Sequence, residues 1–313
     1  MARSRVVVYD PDGVNPYGRE LAAQLAASGY AVTAVVPGDA EWRPPGVRTL
    51  AVLAYNSPSS RLAQAFRLAR GLLVVLALAA RPGQWVVAWS RSDALVLSLV
   101  ARVRRLHLVV HNPGPRDTLS PRLRQAAATR VVHSASLAEP GAAVCAHPLY
   151  THWLASYAAP VAPHDGVRLL LLGHSRPDKG EDVLPSLLAL LPEDVTVVVC
   201  GKRAAPAGPR VEDRTSRSFV PDRELAATLL SCDALLAPYT GATQSGTVAL
   251  AVTAGLPVVG FDSGAVAELA GDEGLVPEGD VAALAAVAAR VRTLPRPSPD
   301  PGATARDWAK VLG

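Results

Sequence analysis

A chain of 313 residues is long enough for two domains of ordinary size, each with its own core, which sets aside a single small binding module. Half of the residues are hydrophobic and 19% are charged, a balance that excludes a disordered chain. The net charge of +4 conceals an asymmetry: residues 1–164 hold 17 Arg and 8 acids, for +9, whereas residues 165–313 hold 14 basic and 19 acidic residues, for −5.

In chain order, Val6 to Tyr9 reads as a first strand that follows Met1 almost directly, so no apolar stretch of signal-peptide length precedes it and a cytoplasmic protein is expected. Tyr17 to Ser28 carries apolar residues at helical spacing and stops at Gly29. Ala31 to Val36 is the next strand. The apolar run Gly71 to Ala80 is about half of the roughly 20 residues a spanning helix needs, so it is no transmembrane segment. A buried core helix is the plainer reading of it. With Arg61, Arg67, Arg70 and Arg81 around it, an amphipathic helix on anionic lipid is the alternative. Trp85 to Trp89, Leu106 to His111 and Arg130 to His133 complete the strands of a first unit.

The Pro- and Ala-rich segment Ala158 to Gly166 lacks periodicity and reads as a linker, giving domains at 1–160 and 161–313. Strands follow at Val167 to Gly173, Thr196 to Gly201, Ala234 to Pro238 and Pro257 to Phe261. Helices fit at Asp182 to Leu191, Asp222 to Ser231, Gly246 to Ala254 and Val281 to Val291. The tail Pro295 to Pro301 reads as an irregular crossover within the second domain. Short strands alternating with helices mean an α/β fold of two doubly wound parallel sheets, whose ligands bind beyond the carboxyl ends of the strands. Two such units joined by one linker would face each other across a cleft.

Candidate chemistry concentrates in those loops. Arg176 and Lys179 follow the strand that ends at Gly173, where two cations can neutralise a diphosphate; the alternative is two solvated surface charges. Thr240 to Thr247 is a glycine- and hydroxyl-rich loop opening a helix, which aims free N–H groups at an anion, although Ser and Thr also serve as ordinary caps. The loop Asp10 to Gly18 lacks the G-x-G-x-x-G form, which argues against a dinucleotide-dependent oxidoreductase. His111 ends a strand, placed either to contact a ligand or as a structural histidine. Cys145, Cys200 and Cys232 show no C-x-x-C spacing and no cluster has metal-ligand spacing, so no metal and no cofactor is expected. The basic first half suits an anionic partner such as a membrane surface or a phosphorylated acceptor. Nucleic acid fits poorly because the arginines are not interleaved with aromatics.

These residues resemble glycosyltransferase family 4, of GT-B fold. The strings that carry the resemblance are Asn15-Pro16-Tyr17 with Arg19 and Glu20, His111-Asn112-Pro113, His147-Pro148-Leu149-Tyr150, and above all Gly173-His174-Ser175-Arg176-Pro177-Asp178-Lys179-Gly180. Phe219 to Asp222, Ser245-Gly246-Thr247 and Gly255-Leu256-Pro257 extend it, so that it spans about residues 5 to 290 in order. The resemblance implies two Rossmann-like domains, the first binding an acceptor and the second a nucleotide-sugar donor. It implies metal-independent transfer with retention to a lipid-linked saccharide or natural-product acceptor. By the same resemblance Arg176 and Lys179 are catalytic, with Gly13, Thr243, Ser245, Gly246 and Thr247 also on the diphosphate and His111 near the reacting carbon. Gly201, Lys202, Val220, Pro221 and Glu268 would meet base and ribose, and Asn15, Tyr17 and Asn112 the acceptor. One departure stands out: Ala242 and Leu250 occupy the positions of the family's paired glutamates. A non-catalytic partner subunit is therefore one alternative, and another enzyme on the same scaffold, a nucleotide-sugar epimerase, is the second. Peripheral contact with the inner face of a membrane through the basic first domain is a further expectation.

Overall fold

The computed structural model describes all residues except 1–3, 13, 39, 41, 54–60, 91–92, 112–118 and 242–243, and describes only the backbone of 61–65 and 67–68. The chain divides into two compact units, Met1–Trp153 with Pro301–Gly313, and Leu154–Asp300.

In the first unit the elements are β1 (Arg5–Tyr9), α1 (Tyr17–Ala27), β2 (Ala31–Pro37), β3 (Arg48–Leu53), α2 (Arg61–Ala79), β4 (Gln84–Val87), α3 (Ala94–Val103), β5 (Leu106–Val109), α4 (Pro121–Ala126), β6 (Thr129–Val132), β7 (Ala142–Val144) and the start of α5 (Thr151–Tyr157), whose remaining residues are counted with the second unit. The strands form one parallel sheet in the order β3-β2-β1-β4-β5-β6-β7. Successive side chains of a strand alternate between faces. One set, including Val7, Tyr9, Val35, Trp85, Val87, Leu106 and Leu108, packs against Val75 and Leu78 of α2, Leu97 and Val100 of α3 and Leu123 of α4. Helix α1 packs elsewhere on β1 and β2, and its residues from Tyr17 to Leu25 are all buried.

The second unit contains β8 (Val167–Leu172), α6 (Leu184–Leu190), β9 (Val195–Gly201), β10 (Val211–Thr215), α7 (Asp222–Leu230), β11 (Ala234–Ala237), α8 (Gly246–Thr253), β12 (Val258–Phe261), α9 (Ala265–Ala270), β13 (Leu275–Val276) and α10 (Val281–Ala289). Its parallel sheet runs β10-β9-β8-β11-β12-β13. Both sheets thus start in the middle, wind to one edge and then to the other. The strand order reverses between β1 and β4 in one unit and between β8 and β11 in the other. The central strands are continuous apolar runs buried on both faces, as a sheet covered by helices on two sides requires. The expected α/β class with two doubly wound sheets is therefore what the chain forms.

The last helix, α11 (Ala303–Leu312), departs from the expected boundaries, which left residues 301–313 with the second domain. It packs on α1 in the first unit, burying Trp308 and Leu312. Asp307 Oδ2 accepts from the Ala146 amide at 3.1 Å, and Thr304 Oγ1 donates to the His147 carbonyl at 3.2 Å. An apolar stripe of one tryptophan and one leucine finds its cover there, which outweighs proximity in sequence.

The expected strand ends also shift. Trp89 and His111 lie two residues past the ends of β4 and β5, in the loops at the sheet's carboxyl edge.

Candidate functional site

Two groups of side chains gather at the carboxyl ends of the strands, one in each unit.

In the first unit the loop after β1 is built around carboxylates. Asp10 Oδ1 accepts from the Asp12 amide at 3.1 Å, and Asp12 Oδ1 accepts from Val14 and Asn15 at 2.9 and 3.1 Å. Arg19, wholly buried, donates to the carbonyls of Asn15 at 3.1 Å and of Val14 and Trp42 at 3.4 Å, with Asp10 3.9 Å away. Burial pushes the Asp10 carboxyl up to about 7, against the pull of Arg19. Glu20, also wholly buried, accepts from the amides of His152 (3.2 Å) and Trp153 (3.0 Å) at the start of α5. A buried carboxylate there satisfies amides that helix geometry leaves without partners.

Above this loop sits an aromatic cluster. Tyr17 OH donates to His133 Nε2 at 2.5 Å, because His133 Nδ1 is the donor to the Cys145 carbonyl at 2.9 Å. His111 lies flat on Trp89, centroids 3.7 Å apart, with Nε2 donating to the Ala88 carbonyl at 2.8 Å. Tyr17 meets His111 edge-on at 4.7 Å, and His147 packs 4.9 Å from His133. Burial holds all three imidazoles neutral: His111 falls to about 3, His147 to about 4 and His133 well below its ordinary value. Asn15 is committed locally, its Oδ1 accepting from the Tyr17 amide at 3.0 Å and from Tyr150 OH at 3.4 Å. The structure therefore brings Tyr17 and His111 together and ties Asn15 to the same cluster. Gly13 and Asn112 lie outside the described residues.

In the second unit the cluster is cationic. After β8 the chain passes Gly173 and forms a short 3-10 turn, Pro177–Lys179, closed by Gly180 in the left-handed region at φ 64°. A Cβ on Gly180 would collide with the Pro238 carbonyl oxygen, so this loop and the one after β11 approach as only glycine allows. That approach puts Lys179 Nζ 3.6 Å from the centroid of the Tyr239 ring. Tyr239 OH hydrogen-bonds Thr247 Oγ1 at 2.8 Å, and Thr247 Oγ1 hydrogen-bonds Ser245 Oγ at 2.8 Å, where α8 begins. Burial, with repulsion from Arg176, pushes the Lys179 ammonium down to about 8; Asp178 opposes the shift and Arg203 adds to it. Arg176 is nearly half exposed and reaches Asp178 at 2.8 Å.

Arg203 is the residue the sequence reading leaves out. Its side chain is 2% exposed, Nη2 donates to Glu181 Oε1 at 2.7 Å, and Nε and Nη1 find no partner among the described residues. Glu181 is held in turn by Ser175 Oγ at 2.7 Å. The usable signal is position: Arg203 lies two residues beyond the carboxyl end of β9, next to β8 in the sheet. Gln244 is also without partners at both ends of its amide among the described residues.

Gly201 (φ 121°) leaves no room for a Cβ beside the Gly173 backbone, which keeps the ends of β8 and β9 together. Lys202 Nζ stands 5.7 Å from the Phe219 ring, and His174 packs edge-on to Phe219 at 5.3 Å, with Val220 and Pro221 following at the start of α7. Gly246 opens α8 and Glu268 is in the first turn of α9. Leu250 is buried, and Thr243 and Ala242 lie outside the described residues. Among the described residues, no group of three or more His, Cys, Asp or Glu could hold a metal ion.

Residues 152–293, nearly the whole of the second unit, match the family described as "Glycosyl transferases group 1". This part of the chain is a group 1 glycosyltransferase domain. The expected enzyme class is thereby borne out. No curated protein matches the chain. Among solved structures, HepE from Anabaena in complex with UDP and glucose is 18% identical, over 97% of this chain and 92% of that one, with a TM-score of 0.61. Sucrose-phosphate synthase from Thermosynechococcus elongatus is 16% identical over 99% and 95%, with a TM-score of 0.62. AviGT4, a glycosyltransferase involved in avilamycin A biosynthesis, is 18% identical over 99% and 93%, with a TM-score of 0.59. At these identities the likeness is one of fold, and it extends over both units of the chain.

Proposed function

We propose that this glycosyltransferase takes its sugar from a nucleoside diphosphate donor held on the second unit, and transfers it without a metal and with retention of configuration. The observation that carries the reading is Lys179, set over the ring of Tyr239 whose hydroxyl bonds Thr247 at the start of α8, with Arg176 and Arg203 close enough to Lys179 to repel its ammonium. As the glycosidic bond breaks, the leaving diphosphate gains negative charge, and fixed cations in a partly desolvated site stabilise that charge without reorganising. Lys179 and Arg176 serve the diphosphate together with the amides and hydroxyls of Ser245 to Thr247. Arg203 adds a third cation, released from Glu181 when an anion competes for it. Lys202, Phe219 and His174 offer an aromatic and cationic surface to the nucleobase, and Gln244 takes the hydroxyl-binding duty that Ala242 and Leu250 cannot perform.

The first unit supplies the acceptor side, where neutral His111, fixed by Trp89 and the Ala88 carbonyl, presents Nδ1 as an acceptor for a hydroxyl. Three buried free thiols suit a reducing, cytoplasmic compartment.

The test is the melting temperature of the full chain titrated with UDP, GDP and TDP. Ligand that binds only the folded state adds about 2.7 kcal/mol at a hundredfold excess over its dissociation constant, so one nucleotide should raise the transition clearly and Lys179→Ala should remove the rise. If no nucleoside diphosphate acts at millimolar concentration, the donor reading fails. The buried Leu250 favours a second reading, a partner subunit without activity of its own, and that outcome would bring it forward.

A further inference from the structure

Helices α2 and α3 each turn one face into the core of the first unit and leave the other bare. Phe66, Leu73 and Leu76 on α2 are 73, 67 and 45% exposed, and Leu95, Leu99 and Val103 on α3 are 63, 45 and 59% exposed. Both sets recur at helical spacing and lie opposite the buried Val75, Leu78, Leu97 and Val100, so each helix carries one outward apolar stripe. The helices are neighbours and cover the same side of the sheet, so the two stripes lie side by side. Contiguous apolar surface of this kind marks a place of contact.

Charge decides what the contact is with. Residues 61–105 hold eight arginines and a single acid, Asp93, a net +7 in a chain whose total is +4. Asp93 is committed to the core side, accepting from Ser90 Oγ at 3.0 Å and from Tyr9 OH. Arg70 on α2 and Arg102 on α3 are exposed, as are Arg81 and Arg105 two residues past the ends of these helices. A second copy of the same face would set Arg70, Arg81, Arg102 and Arg105 against the same four cations, because a twofold interface pairs a patch with itself. An anionic bilayer satisfies both parts at once: leucine and phenylalanine side chains enter the boundary between headgroups and acyl chains while guanidinium groups stay on the phosphates. No helix of the described residues is long and apolar enough to cross a membrane, and this mode of contact needs none.

We infer that the α2–α3 face of the first unit docks the enzyme on an anionic lipid bilayer. The inference stands apart from the donor reading, since none of its residues belongs to the second unit.

Flotation of the full chain with vesicles of phosphatidylcholine, with and without phosphatidylglycerol, tests it. The chain should float with the anionic vesicles at least about tenfold better than with the neutral ones, and should be released near 1 M salt, where the Debye length falls to about 3 Å. The double variants L73S/L99S and R70S/R102S should each lose most of the binding while keeping the wild-type melting temperature. In a separate measurement, Leu73→Trp should add blue-shifted emission on anionic vesicles only. Equal flotation with neutral vesicles, binding that survives both double variants, or no emission change would overturn the inference. So would a dimer in light scattering that L73S/L99S dissociates in a chain that ignores vesicles, since the patch would then belong to a protein contact.

Discussion

The two clusters occupy equivalent places, each at the carboxyl edge of a parallel sheet beside the reversal of strand order, and they are built on opposite principles. Around Tyr17 the polar atoms answer one another: tyrosine to His133, His133 to the Cys145 carbonyl, His111 to the Ala88 carbonyl, and burial keeps the three imidazoles uncharged. Around Lys179 the polar atoms are cations short of anions. Lys179 has an aromatic face, and Arg203 has one carboxylate contact and two nitrogens without partners. A self-satisfied cluster contributes rigidity and shape. An under-satisfied cationic one stores desolvation cost that a bound diphosphate relieves, which is how a site binds developing charge better than its ground state.

The contrast predicts a double dissociation between stability and nucleotide binding. The largest effect belongs to Lys179: removing one fixed donor to a developing anion costs about 100-fold or more. The Lys179→Ala protein should lose that much nucleotide affinity or turnover, yet its melting temperature without ligand should not fall, because a poorly solvated ammonium goes with the side chain. Arg203→Met comes next. It keeps the buried stem and removes the third cation, so nucleotide affinity by calorimetry should drop about tenfold, or about 1.4 kcal/mol; an unchanged affinity would return Arg203 to a purely structural role with Glu181. Tyr17→Phe is smaller and opposite in kind. Loss of the hydroxyl and its bond to His133 should cost about 1 kcal/mol in urea unfolding, with nucleotide affinity unchanged.

The sequence carries more of the second unit than of the first, and the reason is local. Gly173 to Gly180 is a continuous string in which glycine, arginine, lysine and glycine each answer one geometric demand, so the loop is legible without the fold. The core strands are legible for the same reason, as apolar runs bounded by turns. Arg203 is not, because its importance comes from the neighbouring strand that brings it beside Glu181, 22 positions earlier. The Tyr17 cluster is assembled from residues up to 135 positions apart, as in the bond between Tyr150 and Asn15. Edge strands such as β10, VEDRT, carry too many polar residues to show a buried pattern. Helix α11 and its return to the first unit depend on a surface that only the folded chain presents. In 71–80 one face of α2, with Val75, Leu78 and Ala79, is buried as a core helix requires, and the other is exposed.

Acid and alkali should separate the two regions. Each of His111, His133 and His147 has a folded pKa below the ordinary 6.5, so between the folded and unfolded values the unfolded chain binds more protons and stability rises with pH. Their contribution is complete above about pH 6.5 and is lost as pH falls towards 4 and 3, by about 1.4 kcal/mol per pH unit for each proton taken up. Asp10 runs the other way. Raised to about 7 from 3.8, it stabilises the fold while protonated and loses that contribution as pH rises through 7, one group against three. His152, raised by its bond to Glu20, opposes in the same sense above pH 6.5. The melting temperature should therefore climb between pH 4 and 6.5, and a flat profile over that range would show that the imidazoles are not buried neutral. On the alkaline side the affected quantity is affinity. Lys179 in the free protein loses its proton near pH 8, and a bound diphosphate favours the ammonium, so nucleotide affinity should fall as pH rises through 8 while the melting temperature without ligand does not follow it. The same titration on Lys179→Ala should lose this alkaline limb and keep the acid one, which assigns the first to the donor loop and the second to the histidine cluster.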